Sequence, residues 1–203
     1  MGNKLGRFTP EAAFASYAEG RDFISGDGYG RLFADAGVDM GSPAALYFVH
    51  LTGAESIGRF SRSDFQLLFE RLGSKSLEEL RRDVRAGYER VMGDKASKDF
   101  ADFHAACFGL SRETPAASTV SGELAVVILE QLMGELKLAK PLLAFVARER
   151  GPESPVKAVT RDEWNLMLSF CLSYDAVPTM DEFSQADAWP VLLDDFVEHE
   201  NGS

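Results

Sequence analysis

Val159-Thr160-Arg161-Asp162-Glu163-Trp164 opens the helix from which the fold is read. Thr160 and Glu163 stand at capping-box spacing, a hydroxyl at the cap and a carboxylate three residues on. Each side chain at that spacing satisfies a backbone N–H that a helix start leaves open. Val159 before the cap and Trp164 at the fourth helical position have the spacing of a hydrophobic staple. Asp162 falls in the first turn, where the helix dipole favours negative charge. Leu166, Leu168, Phe170 and Cys171 carry the apolar pattern onward.

Outward from this stretch the chain repeats the same grammar. Thr9-Pro10 and Ser42-Pro43 pair a cap with proline at the first helical position, and Ser76-x-x-Glu79 is a second capping box. Phe14, Tyr17 and Ala18 follow the first start. Ala44 to Leu51 is apolar nearly all round, the mark of a buried helix. Phe65, Leu68, Phe69 and Leu72 stripe a helix that stops at Gly73, and Phe100, Phe103, Cys107 and Phe108 stripe another. A long apolar helix runs from Leu124 to Leu138, and Pro141 either interrupts it or begins the next. The glycine-rich run Ile24 to Gly30 fits neither dinucleotide nor P-loop spacing and reads as a turn between helices. No stretch alternates as a strand over a useful length, and no internal repeat is evident. The expected fold class is all-α. Residues 1–8 read as a flexible start and 201–203 as a tail. Between them, 9–200 read as one domain with halves of about 9–110 and 120–200, separated by a Ser/Thr/Pro/Ala-rich connector at 111–121.

The charge is local. The chain carries a net charge of -11, and residues 162–203 hold ten carboxylates with no lysine or arginine, which leaves -1 for the rest. Trp164, Trp189 and Phe196 lie among those carboxylates, so the acidic segment folds. At 100° per residue, Trp189, Leu192, Leu193 and Phe196 share one face of a closing helix that starts near Ala188-Trp189-Pro190. Ala188, Val191, Asp194, Asp195 and Glu198 fall on the other side. Asp175, Asp181, Glu182 and Asp187 read as solvated turns. A folded acidic face suits a basic protein partner and argues against nucleic acid, whose phosphates need a basic patch.

Other chemistries are thinly supported. Cys107 and Cys171 are too few for a disulfide framework and suit a reducing compartment, the cytoplasm and/or nucleus. Neither HExxH nor GxSxG occurs, and no zinc pattern is present. His104 and Cys107 lie one helical turn apart, with no third group to orient a nucleophile. The segment Gly53 to Asp64 has the outline of an EF-hand loop, with Gly58 at position 6 and Asp64 at position 12. Gly53, Glu55 and Ile57 at positions 1, 3 and 5 offer calcium one side-chain ligand, so no metal and no cofactor are expected. There is no secretory core or membrane span. A membrane role would rest on acylation of Gly2, and Gly6 stands where that signal wants Ser or Thr.

Asp162-Glu163-Trp164-Asn165-Leu166 and the run from Ala188 to Glu198, with Trp-Pro inside an aliphatic–acidic helix, resemble the signature of the defective-in-cullin-neddylation (DCN1-like) family. Ile24 to Leu80 follows the family without gaps. The resemblance implies a helical potentiating-neddylation domain with EF-hand-like halves that need not bind calcium. It implies a monomeric, non-catalytic co-ligase that brings a cullin winged-helix domain together with the modifier-charged conjugating enzyme. The cullin-binding positions it implies are Asp162, Ala188 and Asp194, with Val191, Asp195 and Glu198 around them. A pocket for the acetylated N-terminus of the conjugating enzyme is implied at Tyr29, Ala45, Phe48, Val49, Thr52, Ile57, Gly58, Phe60 and Cys107. Tyr29, Thr52 and Cys107 depart from the family's pattern of an aliphatic residue and two aromatics, which reshapes that pocket. The alternative on the residues alone is an EF-hand-derived calcium sensor or signalling adaptor; an enzyme built on His104 and Cys107 is a third.

Overall fold

The computed structural model describes residues 9–184 and 189–202. Among them the fold is all-α, with four three-residue strands as the only sheet. The chain divides into two compact units, Met1–Gly93 and Asp94–Ser203. The boundary is therefore not the 111–121 connector. That connector is a loop inside the second unit, tied down by Arg112, whose guanidinium donates to the carbonyls of Gly109, Pro115 and Ala117.

The first unit runs α1 (Pro10–Ala18), β1 (Phe23–Ser25), α2 (Asp27–Ala36), α3 (Pro43–Thr52), β2 (Arg59–Ser61), α4 (Arg62–Leu72) and α5 (Leu77–Gly93). β1 and β2 pair antiparallel with Ile24 opposite Phe60, which joins two helix–strand–helix motifs as in an EF-hand pair. The predicted glycine turn is in fact β1 followed at once by α2. Gly28 is needed there because a Cβ at that position would lie 1.9 Å from the Tyr17 carbonyl oxygen, so α1 and α2 could not approach. Phe33, Phe48, Phe60 and Phe65 are fully buried and form the centre of this unit.

The second unit runs α6 (Lys98–Ser111), β3 (Thr119–Ser121), α7 (Gly122–Met133), α8 (Ala139–Glu149), β4 (Ala158–Thr160), α9 (Arg161–Ser173), α10 (Met180–Ser184) and α11 (Val191–Gly202). β3 and β4 pair antiparallel with Val120 opposite Val159. The predicted helix 124–138 is shorter than expected: α7 stops at Met133 and Pro141 falls in the first turn of α8, where a missing N–H costs nothing. Trp164 anchors the core, wholly buried, its indole N–H donating to the His104 carbonyl at 2.9 Å. The closing helix starts at Val191, later than expected. Pro190 supplies the first carbonyl acceptor, to the N–H groups of Leu193 and Asp194, and Trp189 stands before it. The Trp189 ring still packs inward, edge-on to Phe170 at 5.7 Å and parallel to Phe183 at 6.2 Å.

Candidate functional site

The start of α9 carries the first candidate group. Thr160 and Glu163 form the expected box: the Glu163 N–H donates to the Thr160 hydroxyl at 3.2 Å, and the Glu163 carboxylate accepts from the Thr160 N–H at 2.8 Å. The other carboxylate oxygen accepts from Arg150 at 2.7 Å, and both side chains are nearly enclosed, 15% and 12% exposed for Arg150 and Glu163. Asp162, one residue earlier, is exposed. Among the described residues no hydrogen bond or ion pair engages it.

The second group lies on α11. Leu192, Leu193, Phe196 and Val197 are buried, while Asp195, Glu198 and Val191 face solvent and Asp194 is half-buried. Val191 is 71% exposed, the most of any large apolar residue described. Phe170 of α9 packs edge-on against Phe196 at 5.8 Å, so α9 and α11 share one aromatic core. Ala188, the third expected docking position, and Asp187 lie outside the described residues. Asp175, Asp181 and Glu182 are exposed, as expected of solvated carboxylates, although Asp181 and Glu182 sit in a short helix rather than a turn and each of the three has a partner within the protein. Asp175 pairs with Lys137 at 2.7 Å, and Glu182 caps α10 through the N–H and hydroxyl of Thr179. Asp181 sits inside α10 and is also engaged. The carboxylates of the segment thus divide into those with a partner in the protein and those with none among the described residues, exposed Asp162, Asp195, Glu198 and Glu200 and half-buried Asp194.

In the first unit, the expected pocket residues divide by burial. Ala45, Phe48, Val49 and Thr52 lie on α3 and are buried. Tyr29 of α2 packs its ring, tilted, against Phe60 of β2 at 4.8 Å and against Phe33 at 4.7 Å. Phe33 completes this cluster and was missed, because only its helix, not its contacts, shows in the sequence. Burial raises the Tyr29 hydroxyl above its usual range. It finds no well-formed hydrogen bond, although the nearby Gly58 N–H acts the opposite way. The Thr52 hydroxyl donates to the Val49 carbonyl at 2.7 Å and so turns back on its own helix. Ile57 and Gly58 are exposed on the loop before β2, and Gly58 takes φ +93, a conformation that favours glycine. Cys107 belongs to α6 of the second unit and is wholly buried.

Two rival chemistries lose support. His104 is 1% exposed with its Nε2 unpartnered, and burial depresses it to about 3, while burial pushes the Cys107 thiol far up. Burial of both groups disfavours the imidazolium and the thiolate alike. In the EF-hand-like loop, Asp64 is engaged as a helix cap, accepting from the Ser61 N–H at 2.8 Å. No group of three or more potential metal ligands occurs among the described residues.

A family model described as cullin binding matches residues 77–199, a span that contains α9, most of α11 and the three positions expected for docking, Asp162, Ala188 and Asp194. The chain belongs to the DCN1-like, cullin-binding family. Similar proteins of this family include DCN1-like protein 2 of Dictyostelium discoideum, 25% identical over 185 residues, 91% of this chain and 66% of that protein. Defective in cullin neddylation protein 1 of Yarrowia lipolytica is 25% identical over 178 residues, 87% of this chain and 71% of that one. DCN1-like protein 4 of Homo sapiens is 25% identical over 185 residues, 91% of this chain and 60% of that one. The chain therefore spans roughly two thirds of the length of these family members.

Proposed function

We propose that this protein is a non-catalytic scaffold for cullin neddylation. It docks a cullin winged-helix domain on α9 and α11 and takes the acetylated N-terminus of the conjugating enzyme in its first unit. The chemistry belongs to the cysteine of that enzyme; the scaffold raises the effective concentration of the pair and limits unproductive orientations. The observation that carries this reading is the outward, unpaired set Asp162, Asp194, Asp195 and Glu198. It lies inside the span that matches the cullin-binding family, in a segment free of lysine and arginine. Such a face attracts lysine and arginine side chains, and exposed Val191 adds an apolar contact beside them.

Reconstituted modification of a cullin with and without the protein tests the proposal. Acceleration by the wild type, lost in Asp194→Ala, is expected; no acceleration, with no measurable affinity for the winged-helix domain, overturns it. The pocket is tested separately with Ile57→Asp, at a position too exposed to cost folding energy. This variant should weaken an acetylated N-terminal peptide of the conjugating enzyme and leave cullin affinity unchanged.

A further inference from the structure

Asp162 is unpaired, although an arginine precedes it in sequence and another engages the residue that follows it. Arg161, its neighbour in sequence, lays its guanidinium over the Phe108 ring at 4.7 Å. Arg150 bonds Glu163, the neighbour on the other side. Arg150 is also fixed from behind. It follows α8 with its N–H on the Val146 carbonyl at 2.8 Å, and its Nη1 donates to the Glu149 carbonyl at 3.1 Å. Its backbone packs against the start of α7 so closely that a Cβ at Gly122 would lie 2.0 Å from the Arg150 carbonyl oxygen. The Gly122 N–H in turn bonds the Lys157 carbonyl just before β4. The Arg150 side chain therefore leaves a rigid junction of α7, α8 and β4, and it is directed at Glu163.

The geometry points to Arg150 and Glu163 as positioning residues for docking, a proposal that rests on the reading of Asp162 as a docking carboxylate. Their ion pair turns one of two adjacent carboxylates inward and neutralises it. It also occupies the Arg150 guanidinium, a cation that would otherwise offset the negative charge of this helix start. Two like charges in one helical turn would repel, and a free arginine at this helix start would weaken the field that steers a basic partner. The pair is a support whose function is electrostatic as well as structural, and the two are separable because its halves carry opposite charge.

The experiment measures association rates of the full chain with two probes, a cullin winged-helix domain and a short oligolysine peptide, alongside thermal unfolding. Glu163→Gln keeps the cap through its amide oxygen and releases the Arg150 charge. It should slow association with both probes by about threefold or more at low ionic strength. Arg150→Met removes the cation and should speed association by a similar factor, although both variants unfold at lower temperature. The double variant leaves no unpaired charge and should associate within about twofold of the wild type. Raising the salt should collapse all these differences. Rates that fall in both single variants, or in neither, overturn the proposal, because a merely structural corner would move both the same way. A double variant as slow as Glu163→Gln overturns it equally. If the winged-helix domain fails to bind while the oligolysine rates still separate by sign, the docking reading fails and the electrostatic support stands.

Discussion

Set side by side, the entries to α4 and α9 are the same structure twice, and they differ at one outward position. Phe60-Ser61-Arg62-Ser63-Asp64-Phe65 and Val159-Thr160-Arg161-Asp162-Glu163-Trp164 align residue for residue. Each begins with the buried centre of a three-residue strand, continues through a Ser or Thr cap, and closes a capping box with the third helical residue. Each lays its first helical arginine on a phenylalanine ring, Arg62 on Phe14 at 4.5 Å and Arg161 on Phe108 at 4.7 Å. Each buries an aromatic at the fourth position, Phe65 or Trp164. The divergence is at the second and third positions. In the first unit Ser63 bonds the Ser61 hydroxyl, and the short Asp64 reaches only the cap. In the second unit Asp162 points outward, and the longer Glu163 reaches both the cap and Arg150. A common scaffold thus presents an unpaired carboxylate by changing one exposed residue and lengthening the next by one methylene.

The comparison can be broken at each shared or divergent position. The largest effect is expected at the buried aromatics: Phe65→Ala and Trp164→Ala should each cost about 3–5 kcal/mol in urea unfolding followed by far-UV circular dichroism. A cost below 1 kcal/mol at either would separate the two scaffolds. At the divergent position, Asp162→Lys should weaken the winged-helix domain by about 1–3 kcal/mol in calorimetry, whereas Ser63→Lys should leave it unchanged. Equal losses would show that charge placement is not what distinguishes the units.

A pH effect belongs to the second unit. His104 is held neutral to about 3 when folded, against about 6.5 in an unfolded chain. Below 6.5 the unfolded state binds the extra proton, so stability falls as the pH drops from about 6.5 toward 3. Between pH 7 and 5 the loss should be about 2 kcal/mol. A His104→Gln variant, whatever its baseline stability, should lack that slope; retention of it would assign the effect elsewhere. Smallest are the caps, where Ser61→Ala and Thr160→Ala should each cost about 1 kcal/mol in the same unfolding assay.

What the sequence reveals of this arrangement follows from distance along the chain. The Thr160–Glu163 box, the Val159–Trp164 staple and the Thr9 cap are contacts within one turn, so their spacing is visible. The absence of lysine and arginine from 162–203 and the helical wheel of α11 likewise pick out Asp162, Asp194, Asp195 and Glu198. The Arg150–Glu163 pair spans 13 residues and has no periodic mark. Strands of three residues are too short to alternate, so β1 to β4 read as loops. The Gly28 constraint depends on a carbonyl of another helix. The internal repeat escapes notice because the two six-residue entries share residue class, cap, cation, acid and aromatic, at most positions, and identity only at arginine. Asp175 and Glu182 resemble the unpaired carboxylates in type and exposure, and only their bonds to Lys137 and Thr179 set them apart.

Both tryptophans of the chain, Trp164 and Trp189, fall in the second unit. Excitation at the red edge of the aromatic band, where tyrosine does not absorb, therefore reports on that unit alone and is blind to the other. Trp164 is sealed in the core and should emit at short wavelength, while half-buried Trp189 stands two residues before exposed Val191, the first residue of α11. The molecule carries its own optical label in one of its two units. A ligand that shifts the red component of the emission touches the acidic unit, and one that leaves the spectrum unchanged has bound, if at all, to its twin.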